Sequence, residues 1–276
     1  MKIAAVQMGS TPDRDANVAK ACAYVEEAVK THGAELVLLP EFFNTIYFAQ
    51  YWDTKYCALA EPEDGYTMTA IRDCARKNKV HVIATIYEME QPGLLFDTAM
   101  HVDPDGAIRF KFRKIHPAAV KSLEKLYFRY GSKLPTYAFG EWRVGIGICY
   151  DMMFPETARV LTVNGAELLL APYATTRTHM YQEILRTRAF ENGAYLVAAN
   201  KVGLDDGWNF GGLSLIADPT GVVLDSADSK NEKILFAEID REKVIEARRR
   251  FPILRDRRPD LYAPIAQESE DVIGRV

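Results

Sequence analysis

Three residues of types suited to hydrolysis, a cysteine, a lysine and a glutamate, stand where expected strands end. Cys149 closes Val144-Gly145-Ile146-Gly147-Ile148, and Tyr150-Asp151 and Phe154-Pro155-Glu156 follow it. A thiol placed where a buried strand gives way to a turn and a helix is held rigidly and meets backbone N–H donors. That is the setting of a nucleophile, although most cysteines are simply small buried groups. Lys114, in Phe112-Arg113-Lys114-Ile115-His116-Pro117, also ends a strand. A solvated lysine is the ordinary outcome there, but one fixed beside a thiol stabilises an oxyanion and favours the thiolate. Glu41 follows Leu36-Val37-Leu38-Leu39-Pro40 and precedes Phe42-Phe43. The carboxyl edge of a buried strand is where open sheets collect ligands, and partial desolvation there suits a carboxylate to take up a proton. A solvated loop glutamate is the plainer alternative.

Other candidates carry less. Cys22 and Cys74 fall on apolar helix faces and Cys57 has no partner in the sequence, so all three read as structural. His32, His81, His101, His116 and His179 form no paired ligand motif, and no metal site is expected. Gly145 and Gly147 lie inside a strand, and Tyr150 occupies the place of a third glycine, which excludes a dinucleotide loop. There is no GxSxG elbow and no GxxxxGK[ST] loop.

The elements that must position these groups follow from periodicity. Residues 2–7, 35–39, 81–88, 95–103, 106–113, 142–149, 167–171, 194–200, 212–217 and 221–225 read as strands. Helices are expected at 66–78, from about Pro155, at 180–192, and where Val18, Cys22, Val25 and Val29 recur at helical spacing ahead of Gly33. Asp103-Pro104-Asp105-Gly106 and Asp218-Pro219-Thr220-Gly221 are hairpin turns. Interleaved strands and helices with some hairpins predict an α/β fold with mixed sheets and helices outside. The 276 residues read as one domain, 1–276, with a charged C-terminal arm from about 240 expected to be a solvated helix and extended tail. At 48% hydrophobic and 26% charged the chain is an ordinary globular one. Lysine plus arginine (34) nearly balance aspartate plus glutamate (38), so nothing favours a nucleic-acid partner. No run approaches the ~18 apolar residues of a membrane span. The four scattered cysteines suit a reduced, cytoplasmic location.

The order Glu41, Lys114, Cys149 resembles the nitrilase superfamily of carbon–nitrogen hydrolases. The matching stretches are Leu39-Pro40-Glu41-Phe42-Phe43, Phe112-Arg113-Lys114-Ile115-His116 and Gly147-Ile148-Cys149-Tyr150-Asp151. Arg188-Ala189-Phe190-Glu191-Asn192, Ala199-Asn200-Lys201-Val202-Gly203 and Phe210-Gly211-Gly212-Leu213-Ser214 agree as well, so the likeness covers nearly the whole chain. It implies a four-layer αββα sandwich pairing into an eight-layered dimer or larger homo-oligomer. It also implies a Glu–Lys–Cys triad with neither metal nor organic cofactor. The family's second glutamate falls on Glu124, and its oxyanion donor on the backbone N–H of Tyr150.

The resemblance further implies that Cys149 attacks a small-molecule amide or carbamoyl carbonyl, with Glu41 as base and Lys114 beside the oxyanion. A thioester forms, ammonia leaves, and water completes hydrolysis. Nitrilases of the family tend to carry Cys-Trp-Glu, whereas Cys149-Tyr150-Asp151 favours amides or N-carbamoyl amines. The segments Glu41–Phe48 and Leu254–Tyr262 are similar to N-carbamoylputrescine amidases. Met152 and Met153 stand where hydrolases of N-carbamoyl amino acids place arginines, so these two, with Tyr47, are expected to line a pocket for a neutral acyl group. Arg177 is the candidate carboxylate clamp from another loop. Nitrile hydrolysis and a catalytically silent scaffold are the alternatives.

Overall fold

A computed structural model describes residues 1–267. The first half contains β1 (Lys2–Gln7), α1 (Arg14–His32), β2 (Leu36–Glu41), α2 (Tyr66–Asn78), β3 (His81–Gln91), β4 (Leu94–Val102), β5 (Ile108–Arg113) and the short α3 (Glu124–Tyr127). The second contains β6 (Thr136–Phe139), β7 (Trp142–Ile146), α4 (Pro155–Val163), β8 (Leu168–Tyr173), α5 (Tyr181–Phe190) and β9 (Tyr195–Asn200). There follow β10 (Val202–Asp205), β11 (Trp208–Gly211), β12 (Leu215–Ala217), β13 (Val223–Ser226), β14 (Lys233–Glu238), α6 (Arg241–Arg250) and α7 (Ile253–Asp256).

Two six-stranded sheets carry the fold, in the orders β14-β1-β2-β3-β4-β5 and β13-β12-β9-β8-β7-β6. Each has a parallel centre, β1-β2-β3 in one and β7-β8-β9 in the other, flanked by antiparallel strands. The period-two alternation of the first sheet decides what it packs against. Ile3, Ala5, Leu36, Leu38 and Ile83 point to the second sheet, while Ala4, Val6, Val37, Leu39, Val82 and Ala84 lie under α1 and α2. On the second sheet Leu168–Leu170 and Leu196–Val197 are buried on both faces, as parallel strands between two layers must be, and Ala158, Leu161, Leu185 and Ala189 of α4 and α5 cover its outer side. The result is an αββα sandwich of mixed sheets, as expected. Among the described residues no helix is long and apolar enough to cross a membrane.

Local signals set several boundaries. Asp13 caps α1 by accepting the Ala16 N–H at 3.0 Å, and Gly33 ends it in the left-handed region at φ 65°. The structure departs from expectation in three places. The strand expected over 142–149 stops at Ile146, because residues 149–153 form a 3₁₀ turn that Cys149 enters with φ 48°. The strands β6, β10, β11 and β14 lie outside the expected set: the first three have four residues each, too few to show periodicity, and β14 is a short apolar run, Ile234-Leu235-Phe236-Ala237, between charged ends. The arm is not simply solvated: Val244 and Ala247 of α6 are buried, and Arg241 forks onto Glu167 at 2.7 and 2.9 Å. Arg248 reaches the carbonyls of Ala166 (2.6 Å) and Gly193 (3.0 Å). The rest of the expected arm, beyond residue 267, lies outside the described residues.

Cys74 sits in the α1–α2 interface, with its Sγ 3.7 Å from the Cys22 carbonyl and little exposure. Both thiols are remote from the cleft described below. Cys74→Ala is expected to cost about 1 kcal/mol, a melting shift of roughly 2–4 °C, without changing turnover. Thermal melts paired with a rate assay check this; a loss of rate at unchanged melting temperature would contradict it.

Candidate active site

The backbone first brings Lys114 to its place. One residue past β5, its N–H donates to the Asp97 carbonyl of β4 at 2.9 Å, and its own carbonyl accepts the Gly131 N–H at 2.7 Å. A side chain at 131 would stand 2.2 Å from the Arg113 carbonyl, so only glycine lets these segments meet. The Lys114 side chain then runs inward and is 1% exposed. Its Nζ lies 2.6 Å from Glu41 Oε1, at the end of β2, and 2.7 Å from Glu124 Oε2, at the start of α3. A third carboxylate, Asp97 Oδ2, is 3.3 Å away.

These three acids place one oxygen each within 4.8 Å of one another, a spacing that would suit a metal ion. The ammonium of Lys114 stands among them and is itself the cation. Burial opposes its charge, yet Glu124, Glu41 and Asp97 together outweigh that and hold it well above the usual lysine range. Glu124 is fully supplied with donors. Its Oε1 takes the Tyr47 hydroxyl at 2.5 Å, and its Oε2 takes the Ala118 N–H at 2.7 Å besides Lys114. Glu41 Oε2 and both carboxyl oxygens of Asp97 have no hydrogen-bond partner among the described residues.

Tyr47 is held from below as well. Its N–H reaches Asp205 Oδ2 at 3.3 Å, an oxygen that also accepts from Ser10 and pairs with the buried Lys201. Lys201 Nζ further donates to the Thr45 carbonyl at 2.9 Å. This network anchors the 42–50 loop to the start of the β10–β11 ribbon, and so steadies Glu124 through Tyr47. It is a feature that no sequence motif announced.

Cys149 comes from the opposing sheet. The turn after β7 is closed by Asp151, whose carboxylate accepts the N–H groups of Ile148 (3.0 Å) and His116 (2.8 Å). His116 also sets its ring on Asp151 at 2.9 Å and stacks on Phe154, which makes it part of this brace. The Tyr150 N–H lies in the first turn of the 3₁₀ segment, where amides have no partner within the turn. Burial pushes the Cys149 thiol well above its ordinary range; the charge of Glu41 adds to that and Lys114 opposes it. A resting thiol, rather than a thiolate, follows.

Cys149, Glu124 and Tyr47 form the floor of a cavity of about 820 Å³. Tyr150, Met153, Tyr173, Tyr181 and Trp208 are on its walls, and the exposed Lys121, Arg177 and His179 stand at its mouth. Arg177 is steadied there by donating to the Val120 carbonyl at 3.3 Å. Met152 does not line the cavity. It is fully buried in the core, packed so closely under Gly147 that a Cβ there would lie 2.8 Å from its Cε. In a 3₁₀ turn adjacent side chains diverge by about a third of a revolution, so Met152 and Met153 cannot share a wall. The structure thus gathers Glu124, Cys149, Tyr47, Tyr150, Met153 and Arg177 around one cleft, sets Lys114 and Glu41 behind Glu124, and removes Met152. It adds Asp97, which sequence reasoning missed because Phe96-Asp97-Thr98 reads as an ordinary polar step in a strand.

Residues 2–249 match the carbon–nitrogen hydrolase family model. The chain is 33% identical over 273 residues to the omega-amidase NIT2 of Homo sapiens, covering 95% of this chain and 96% of that protein. It is 35% identical over 266 residues to a nitrilase of Pyrococcus abyssi, covering 95% and 99% respectively. A crystal structure of a carbon–nitrogen hydrolase from Helicobacter pylori superposes with a TM-score of 0.92 at 30% identity, over 97% of this chain and 99% of that one. With the family model matched along most of its length, this chain belongs to the carbon–nitrogen hydrolases of the nitrilase superfamily.

Proposed function

We propose that the protein is a cysteine amidase that hydrolyses small linear amides to the carboxylic acid and ammonia. The observation that carries this is the Lys114 ammonium, bridged between Glu41 and Glu124 on one side of a fold whose opposing sheet supplies the buried Cys149. A protonated thiol needs a base at the moment of attack. Glu41 Oε1 is committed to Lys114, whereas Oε2 has no partner and is the oxygen to receive the proton. As Cys149 Sγ bonds to the amide carbon, the carbonyl oxygen takes up negative charge beside Lys114 and the Tyr150 N–H. One such donor supplies roughly 3 kcal/mol of barrier lowering. Glu41 passes its proton to the nitrogen, ammonia leaves, and a thioester remains. Glu41 then takes a proton from water, which attacks the thioester and regenerates the thiol. Glu124, fixed by Tyr47 and Ala118, orients Lys114 throughout. A pre-formed ammonium at the oxyanion position requires no metal in these steps.

The mouth of the cleft favours an acyl group that ends in a carboxylate, which revises the expectation of a neutral one. That expectation needed both Met152 and Met153 on the wall, and only Met153 is there. Lys121, Arg177 and His179 stand at the entrance, and Glu124, already paired to Lys114, is the one acidic residue among the lining residues described. A substrate with a terminal ammonium, such as an N-carbamoyl diamine, would meet cations; an ω-amide of a dicarboxylic acid or an N-carbamoyl amino acid would meet a partner. The omega-amidase relative supports the ω-amide. Nitrile hydrolysis remains the second reading, supported by the nitrilase relative. Pairing into a homo-oligomer is part of the proposal, supported by exposed Val160, Val163, Phe190 and Phe251 on and beside α4, α5 and the C-terminal segment. The free Cys22, Cys57, Cys74 and Cys149 support a reducing, cytoplasmic setting.

A panel of ω-amides, neutral amides, N-carbamoyl compounds and nitriles, read by ammonia release, tests the activity. Cys149→Ala is expected to lower turnover by a factor of about 10³ or more while the protein stays folded. Turnover near the wild-type rate would sink the assignment.

Lys114→Ala should both slow turnover and melt well below the wild type. It leaves buried carboxylates without their counter-charge, a loss of about 3–5 kcal/mol. Unchanged unfolding by denaturant would show that the cluster is not charged as described.

Arg177→Ala should raise KM for ω-amides of dicarboxylic acids about tenfold, equivalent to about 1.4 kcal/mol, and leave KM for neutral amides unaltered. An equal change for both substrate types would place Arg177 outside the substrate's reach.

A further inference from the structure

We propose that Asp97 is a positioning residue that remains a neutral, protonated carboxyl during turnover and hydrogen-bonds Glu41, and that its ionisation shuts the enzyme down on the alkaline side. The inference rests on the reading of Glu41, Lys114 and Cys149 as the reacting groups.

Counting charges and donors leads to it. Glu41, Glu124 and Asp97 surround a single ammonium, at 2.6, 2.7 and 3.3 Å, and all four side chains are between 0 and 1% exposed. One ammonium cannot compensate three carboxylates without water, so a proton must remain in the cluster. Glu124 has Lys114, the Tyr47 hydroxyl and the Ala118 N–H as donors, which suits an ionised carboxylate. Glu41 has Lys114 on one oxygen. Asp97 has no donor on either oxygen within hydrogen-bonding geometry, only the longer approach to Lys114. An ionised carboxylate so poorly served is the costliest of the three, and a protonated one has a use for its proton. Glu41 belongs to the same cluster, and its Oε2, without a partner among the described residues, is assigned as the acceptor. A carboxylate oxygen has two lone pairs, so it accepts from Asp97 and still addresses the thiol.

Among the described residues the charged groups that face Asp97 are Glu41 from β2, Lys114 after β5 and Glu124 from α3. Burial, and then the charge of Glu41, push the Asp97 carboxyl well above the usual aspartate range, with Lys114 opposing. These effects favour the neutral carboxyl, and its proton is lost as pH rises. Its loss adds a negative charge beside the site where thiolate and oxyanion charge develop, which slows the reaction.

The tests compare the wild type with Asp97→Asn, a neutral variant of the same shape, and Asp97→Ala. Infrared difference spectra at neutral pH should show a protonated-carboxyl C=O band in the wild type that Asp97→Asn lacks. Isotopic labelling of the aspartate carboxyl carbons in the wild-type enzyme should shift the same band, which keeps the measurement available if a variant does not fold. The alkaline limb of kcat should move to higher pH in Asp97→Asn, with kcat at neutral pH reduced by no more than about tenfold, whereas Asp97→Ala should lose about a hundredfold or more. A missing band, or an alkaline limb unmoved in Asp97→Asn, overturns the proposal. The infrared band needs no substrate. Absent ammonia release from every amide with the band present would therefore count against the proposed activity, leaving the protonated Asp97 in place.

Discussion

The structure depends on one buried ion cluster, the ammonium of Lys114 held between Glu41 and Glu124. Removing a lysine and two glutamates from water is expensive, and only close approach with further donors offsets it. Much of the local architecture supplies those donors or fixes the distances. Tyr47 and Ala118 serve Glu124, the Asp97 carbonyl and Gly131 hold the Lys114 backbone, and Lys201 with Asp205 anchors the loop that carries Tyr47. Such a cluster is a poor source of stability and a good means of pre-organisation: in the proposed reaction the buried cation stands ready where oxyanion charge would develop.

The two sheets divide the labour. Glu41, Asp97 and Lys114 are carried by the first sheet or by the residue just past its edge, and α3 brings Glu124 over the same end. Cys149 arrives from the second sheet, on a turn braced by Asp151. The carboxylates and the thiol therefore come from opposite sides of the apolar seam between the sheets. The close-packed layer of Ile3, Leu36, Leu38, Leu168 and Leu170 transmits its rigidity directly to the site. The left-handed backbone at Cys149 is part of that geometry, since it turns the side chain out of the strand direction at the moment the strand ends.

Glu41, Lys114 and Cys149 can be singled out in the sequence as the proposed reacting groups because each ends an expected strand, and a buried strand's end is where polar chemistry can surface. The αββα layering is legible for a related reason: alternation in β1 to β3 and helical spacing in α1 each mark one buried face. Asp97 is not legible. It sits inside β4 with polar neighbours on the chain, and its partners are remote in sequence, so only the folded sheet shows that it points into the cluster. Met152 shows the opposite failure. Two adjacent methionines look equivalent on paper, while the turn sends one to the core and the other to the cleft. The mouth, with Lys121, Arg177 and His179 drawn from two separate loops, is likewise a property of packing alone.

The strand order has a consequence for synthesis of the chain. In the first sheet β1 lies between β2 and β14, and its pairing with β14 joins Lys2 to Glu238 and Gln7 to Lys233. During translation the hydrogen-bonding edge of β1 stays open until residues 233–238 have left the ribosome, and for that time it is a template for wrong partners. The layer that carries Glu41, Asp97 and Lys114 is consequently closed by a strand made more than 200 residues after its first. Nascent chains depend on chaperones, or on speed after release, in a way that a fold with local strand order would not.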